Sequence, residues 1–313
     1  MKKLLAVLLS AAMLLSASAC STGAEQPASS GAASGSASSS ASSGKTIGLS
    51  VSTLNNPFFV TLTNGAKEEA KKLGVSLTVA DAGNDTAKQT NDIEDLISKN
   101  IGVLIVNPVD SDAVANAVKD AQAKGIKVIA VDRVVNGVTV DCKIASDNVS
   151  GAKQATEYLL SKVGKNAKIA QLEGTTGASA TIDRGKGFHQ AADGNAQIVA
   201  SQTANFDRAT ALNVSENILQ AHSDIKGIFA QNDEMALGAV EAVSAAKKNI
   251  VIVGFDATDD GQAAVKSGKM AATVQQKPDL MGSTAIDNAQ KLLKGEKVEA
   301  NVPVEVTLIK HAG

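Results

Sequence analysis

The chain has 313 residues and a mass of 31.7 kDa, room for two ordinary domains. Its 30 basic and 32 acidic side chains leave a net charge of -2, which argues against a nucleic-acid surface, and a hydrophobic share of 44 % argues against general disorder. Two Cys and three scattered His exclude a disulfide framework and a histidine-built zinc site, and aromatics are scarce, with six Phe, one Tyr and no Trp.

Lys2 and Lys3 precede an apolar stretch over 4–15 and a tail of small residues ending at Cys20. At 1.5 Å per residue that stretch spans about 18 Å, short of a hydrocarbon core of roughly 30 Å. Residues 1–19 therefore read as an export signal. Ala17-Ser18-Ala19 fits plain signal-peptidase cleavage, and with Cys20 it also resembles a lipobox whose cysteine becomes lipidated. The Ser/Ala/Gly tract that follows, up to residue 44, favours the second reading. As a flexible coil it would reach roughly 25–30 Å, a sensible tether for a body anchored to the outer face of the cell membrane.

From residue 45 onward, short β-branched runs alternate with amphipathic segments. The spacing predicts strands over 46–51, 75–79, 103–106 and 128–131, separated by helices over 59–73, 87–99 and 113–124. The pattern then restarts. Strands are expected over 168–172, 198–201, 227–230 and 250–253, with helices over 179–192, 209–221 and 234–246. Such alternation reads as βαβ units around parallel sheets buried on both faces. Asn107 and Asp132 close consecutive strands, as do Asn232 and Asp256 in the second series, so the body reads as two similar α/β lobes.

Open α/β sheets bind ligands at the carboxyl ends of their strands, and the polar residues fall there. Asp132 and Asp256 can accept from neighbouring hydroxyls, while Arg133 and Arg184 can donate in a fixed fork. Asn56, Asn107, Asn232 and Gln276 each offer a donor and an acceptor. Phe58, Phe59 and Phe206 lie near the same rim, and aromatic faces suit the C–H faces of a saccharide ring. Two carboxylates and two guanidiniums sum to zero charge, which matches a neutral polyol. Singly, each residue has a simpler role: strand-end Asp and Asn cap helices, the paired Phe anchor a turn, and Arg133 could sit on the surface. Their recurrence at equivalent strand ends favours a site.

Other motifs carry less. Gly44-Lys45-Thr46 looks like the end of a P-loop, but position 39 is Ser and the segment enters a strand. Gly185-Lys186-Gly187 lies inside a predicted helix and lacks the third glycine of a dinucleotide motif. Cys142 reads as a small buried residue. An exported sugar-modifying enzyme would need a positioned acid, base or nucleophile; Asp132 and Asp256 are better explained as hydroxyl acceptors. A sugar-sensing repressor would carry a basic DNA-binding segment where this chain has its signal and spacer.

Asn55-Asn56-Pro57-Phe58-Phe59, Asn107-Pro108, Val131-Asp132-Arg133, Arg184-Gly185, Phe206-Asp207-Arg208, Asn232-Asp233-Glu234-Met235 and Gly254-Phe255-Asp256 resemble the type I periplasmic binding proteins, most specifically their ribose-binding branch. The similarity covers nearly all of 45–310. It implies a ligand-binding role for all eleven polar and aromatic positions named above, each carrying the residue type expected for D-ribose. The absence of Trp removes the stacking residue that glucose- and galactose-binding relatives use. The resemblance further implies a non-enzymatic, cofactor-free and metal-free monomer that delivers sugar to the permease subunits of an ABC importer. A chemoreceptor is a further candidate partner, and the membrane is met only through the anchor. It places crossings between lobes near Asp147-Asn148, Gln276-Lys277 and residues 304–306. One lobe then comprises 45–147 plus 277–304 and the other 148–276 plus 305–313, closing on the sugar about a three-segment hinge.

Overall fold

A computed structural model describes residues 46–312. The expected export signal (1–19), the spacer (20–44) and Cys20 lie outside the described residues. The first series runs β1 (Ile47–Val51), α1 (Pro57–Leu73), β2 (Leu77–Asp81), α2 (Thr86–Ser98), β3 (Val103–Val106), α3 (Ala115–Ala123), β4 (Lys127–Val131) and β5 (Cys142–Ser146). The second begins with α4 (Asn148–Val163), β6 (Lys168–Glu173), α5 (Ser179–Ala192), β7 (Gln197–Thr203) and α6 (Arg208–Ala221). It continues through β8 (Gly227–Ala230), α7 (Asp233–Ala245), β9 (Val251–Asp256), α8 (Asp259–Lys266) and β10 (Ala272–Gln275). Then follow α9 (Pro278–Leu293), β11 (Asn301–Val304) and β12 (Thr307–Lys310).

Two six-stranded sheets result, with orders β11-β5-β4-β3-β1-β2 and β12-β10-β9-β8-β6-β7. Every pairing is parallel except β10 with β12. That exception has a topological cause. β12 follows β11 after two residues, with no crossover helix to reverse the chain, and parallel neighbours need such a crossover. The chain passes from the first sheet to the second between β5 and α4, back between β10 and α9, and across again between β11 and β12.

Both sheets are covered on both faces. Apolar residues of α1 and α9 pack on one face of the first sheet, and those of α2 and α3 on the other. The second sheet is covered by α6, α7 and α8 on one side and by α4 and α5 on the other. The α1–α9 crossing is close because both helices carry glycine at the contact. A Cβ on Gly282 would run into the Leu62 carbonyl, and one on Gly65 into the Asp279 backbone.

Two expected elements sit differently. The strand expected over 75–79 lies at Leu77–Asp81. Gly74 ends α1 in the left-handed region at φ 65°, and the chain pairs with β1 only from Ser76, whose carbonyl accepts from Ile47 N at 2.9 Å. The third helix begins at Ala115 rather than 113 because Asp110 Oδ1 accepts from the amides of Asp112 and Ala113, both at 2.8 Å, and holds a turn there. Among the described residues, no helix is long and apolar enough to cross a membrane, and no group of three or more His, Cys, Asp or Glu could hold a metal ion.

Candidate functional site

On the first sheet, Asn56 caps α1: its Oδ1 accepts from Phe58 N at 2.9 Å, and Pro57 fills the first helical position. The cap delivers Phe58 and Phe59 side by side, edge to face at 5.2 Å. Beyond β4, Asp132 takes the left-handed conformation at φ 64°, which turns the chain sharply at the strand end. Asn107 Nδ2 donates to Asp132 Oδ2 at 3.1 Å and to the Val131 carbonyl at 3.2 Å, while its Oδ1 accepts from Ser52 N at 3.2 Å. Arg133 donates through Nη1 to the Pro108 carbonyl at 2.7 Å, and its guanidinium stands 5.1 Å from the centre of the Phe59 ring.

The second sheet supplies the opposing wall. Arg184 projects from α5, donating from Nε to Asn148 Oδ1 at 2.8 Å and from Nη1 to the Gln231 carbonyl at 2.6 Å. It lies over the Phe255 ring at 3.9 Å and faces Asp256 Oδ1 at 3.8 Å. Gln276 Nε2 donates to that same Asp256 oxygen at 2.7 Å. Asn232 caps α7 through Oδ1, which accepts from Met235 N at 2.9 Å, and its Nδ2 reaches the Phe206 carbonyl at 3.4 Å. Phe206 itself has φ 58°. Its ring occupies the space a side chain at residue 174 would need, so Gly174 must be glycine.

These residues line one cavity: Asn56, Phe58, Phe59, Asp132, Arg133, Arg184, Phe206, Asn232, Asp256 and Gln276, together with Ala180. Ten of the eleven expected residues thus meet. Asn107 does not line the cavity; its side chain bonds Ser52 N, the Val131 carbonyl and Asp132 Oδ2. Phe206 stands between two cations, 5.5 Å from Arg133 and 5.8 Å from Arg184. Arg133 is 2 % exposed, which removes the surface reading for it.

The walls are joined outside the cavity as well. Ser111 N donates to the Gly177 carbonyl at 3.0 Å, Ser179 N to Ser111 Oγ at 3.2 Å, and Val134 N to Ser179 Oγ at 3.0 Å.

Burial sets the electrostatics. Desolvation pushes the Asp132 carboxyl up, against the pull of Arg133, Arg184 and the Asn107 hydrogen bond. It pushes Asp256 well above the usual carboxylate range, against Arg184 and Gln276. Desolvation brings Arg133 down to about 10 and lowers Arg184, each opposed by the nearby carboxylates. Three polar atoms of the lining, Asp132 Oδ1, Arg133 Nε and Gln276 Oε1, are buried without a hydrogen-bond partner among the described residues. Buried polar groups ordinarily find one. Acceptors and a cationic donor held open around apolar rings are suited to a small, uncharged, hydroxyl-rich molecule.

Sequence reasoning missed the supports: Asn148 and Gln231 behind Arg184, Phe255 beneath it, and Asp233 below Asp256. Each lies within or beside a motif already singled out, so adjacency was the one available signal. Cys142 is fully buried, with its thiol pushed up by desolvation.

The periplasmic binding protein domain matches residues 47–297. The chain is 54 % identical over 267 residues to the ribose import binding protein RbsB of Haemophilus influenzae, covering 85 % of this chain and 91 % of that one. It is 46 % identical over 311 residues to the protein of the same name from Bacillus subtilis, covering 98 % and 99 %. Among solved structures, the Caulobacter myo-inositol binding protein bound to myo-inositol superposes with a TM-score of 0.82 at 35 % identity, covering 86 % of this chain and 94 % of that one. A domain match from the first strand to just past α9, on a fold shared with a myo-inositol binding protein, establishes that this chain belongs to the periplasmic binding protein family.

Proposed function

We propose that the chain is the D-ribose receptor of an ABC importer, a binding protein without catalytic activity that captures the sugar in its cleft and hands it to membrane permease subunits. The observation that carries this reading is the cavity itself. Two carboxyl groups face two guanidiniums around Phe58, Phe59 and Phe206, with acceptors and a donor left open. A furanose or pyranose ring offers C–H faces to the phenyl groups and hydroxyls to the carboxylates and guanidiniums. Two relatives sharing about half of their residues with this chain are named for ribose import.

Capture works by closure about the three passages between sheets, with one lobe at 45–147 plus 277–304 and the other at 148–276 plus 305–313. Asn56, Phe58, Phe59, Asp132 and Arg133 hold the sugar from the first lobe. Arg184, Phe206, Asn232, Asp256 and Gln276 hold it from the second, and Asn107 acts through Asp132. The protein is exported and held at the outer face of the membrane through lipidated Cys20, with the Ser/Ala/Gly spacer as tether. A chemoreceptor is a candidate second partner for the closed form.

Calorimetry against ribose, ribulose, allose, galactose, glucose and myo-inositol tests the assignment: ribose should bind tightest, at one site per chain. A clear isotherm with another sugar and no heat with ribose would overturn the specificity. Recovery of ribose unchanged by NMR after incubation separates a receptor from an enzyme. Mass spectrometry of the mature N-terminus separates lipidation of Cys20 from plain cleavage.

A further inference from the structure

Asp233 is fully buried, yet it lies outside the cavity lining. It opens α7 directly after the capping residue Asn232, where a helix N-terminus favours negative charge. Its two oxygens reach two different elements. Oδ1 accepts from Thr273 Oγ on β10 at 2.6 Å, and Oδ2 accepts from Thr258 N at 2.9 Å and Thr258 Oγ at 3.3 Å. Thr273 Oγ in turn accepts from Ala257 N at 3.2 Å. One carboxylate therefore holds two consecutive residues of the three-residue turn 256–258, directly at Thr258 and through Thr273 at Ala257.

That turn is unfavourable by itself. Asp256 has φ 118° and Ala257 φ 53°, two consecutive non-glycine residues in the region that L side chains avoid. Such a conformation persists only where its surroundings impose it. The chain also keeps glycine on both flanks: a Cβ at Gly254 would run into Asp233 Oδ1, and one at Gly261 into Asp233 Oδ2. Asp256 is the carboxylate that faces Arg184 and accepts from Gln276 at the cavity wall.

We propose that Asp233 is a positioning residue of the sugar site: through Thr273 and Thr258 it imposes the left-handed turn at 256–258 and so fixes where the Asp256 carboxylate stands. The first sheet reaches the same end differently, since there Asn107 bonds Asp132 directly. The proposal rests on the ribose reading for its ligand but not for its geometry. The groups facing Asp233 are the Thr258 and Thr273 hydroxyls, with the charges of Glu234, Asp256 and Arg184 nearby. Burial pushes its own carboxyl up to about 7.

Thr273→Val tests it, since valine keeps the shape and strand preference of a fully buried position and removes only the relaying hydroxyl. Calorimetry with D-ribose should show T273V binding at least about tenfold more weakly than wild type, the loss expected when a buried amide and a carboxylate oxygen both lose a partner. Thr273→Ser keeps the hydroxyl and should bind within about threefold of wild type. A crystal structure of T273V should show the 256–258 turn relaxed and the Asp256 carboxylate displaced. Wild-type affinity in T273V, or an unmoved turn, would overturn the proposal. If the wild-type chain gives no isotherm with ribose, the ribose reading fails on its own. The comparison is then made with whichever sugar of the panel binds, and if none binds the crystal structure alone decides.

Discussion

Arg133 stands 5.5 Å from the centre of the Phe206 ring, so a guanidinium carried by the first sheet is stacked on an aromatic carried by the second. The ring also lies 5.8 Å from Arg184. Desolvated cation–π contacts are worth about 2 kcal/mol or more each, and the ring offers a face to the ligand besides. Phe206→Ala should therefore weaken ribose binding by about tenfold or more in calorimetry. Wild-type affinity would remove the ring from the site.

Arg184 is the hub of the second wall, joined to Asn148, the Gln231 carbonyl, Phe255 and Asp256. Arg184→Ala should cost at least about 2 kcal/mol of binding, roughly thirtyfold in the dissociation constant, because a buried charge-assisted donor is lost and Asp256 keeps no cation beside it. Lysine should not rescue it, since one ammonium cannot reproduce donation from Nε and Nη1 at once. An unchanged dissociation constant in R184A would place the residue outside the binding machinery.

Buried carboxylates also predict how stability follows pH. Asp233, pushed up to about 7 from an ordinary value of 3.8, favours the fold most when protonated. Its contribution is complete below the unfolded value and is lost as pH rises through about 7. Asp132 and Asp256, both raised by burial, act with the same sign. Arg133, lowered to about 10, stays protonated below pH 8 and adds no slope there. The ligand-free protein should melt at a lower temperature at pH 8 than at pH 5, and Asp233→Asn should shrink the difference. Equal melting points for the wild-type protein would contradict this.

The contacts of Ser111 with Gly177 and Ser179 cross between the two walls without lining the cavity. They belong to the closed form alone if the lobes separate about the hinge. Ser111→Ala removes the acceptor for Ser179 N, worth about 1 kcal/mol, so ribose affinity should fall about fivefold. Small-angle scattering of the ligand-free variant should give a larger radius of gyration than wild type. An unchanged affinity and radius would show that closure does not depend on this contact.

The doubled α/β pattern was legible because its central strands are short, largely apolar runs and its helices have apolar stripes. The edges were harder. β11 and β12 are four-residue strands with exposed positions, and α4 is rich in small residues, so neither produces a strong periodicity. Asp132, Arg133, Asn232, Asp256 and Gln276 could be read from strand ends, where side chains leave the sheet, whereas Phe58 and Phe59 open α1 and Arg184 projects from the middle of α5. Asn107 shows a strand-end position of another kind: its side chain donates to Asp132 and does not line the cavity. Asp233 was invisible for a related reason. In sequence it is one acid at a helix start, and only folding brings Thr273, 40 positions away, onto its carboxylate.

The most direct test is a crystal structure of the protein with D-ribose. One sugar should lie between Phe58, Phe59 and Phe206, with hydroxyls within hydrogen-bonding distance of Asp132 Oδ1, Arg133 Nε and Gln276 Oε1, the three buried lining atoms that lack a partner among the described residues. A sugar bound elsewhere, or one that leaves those three atoms unpartnered, would contradict it.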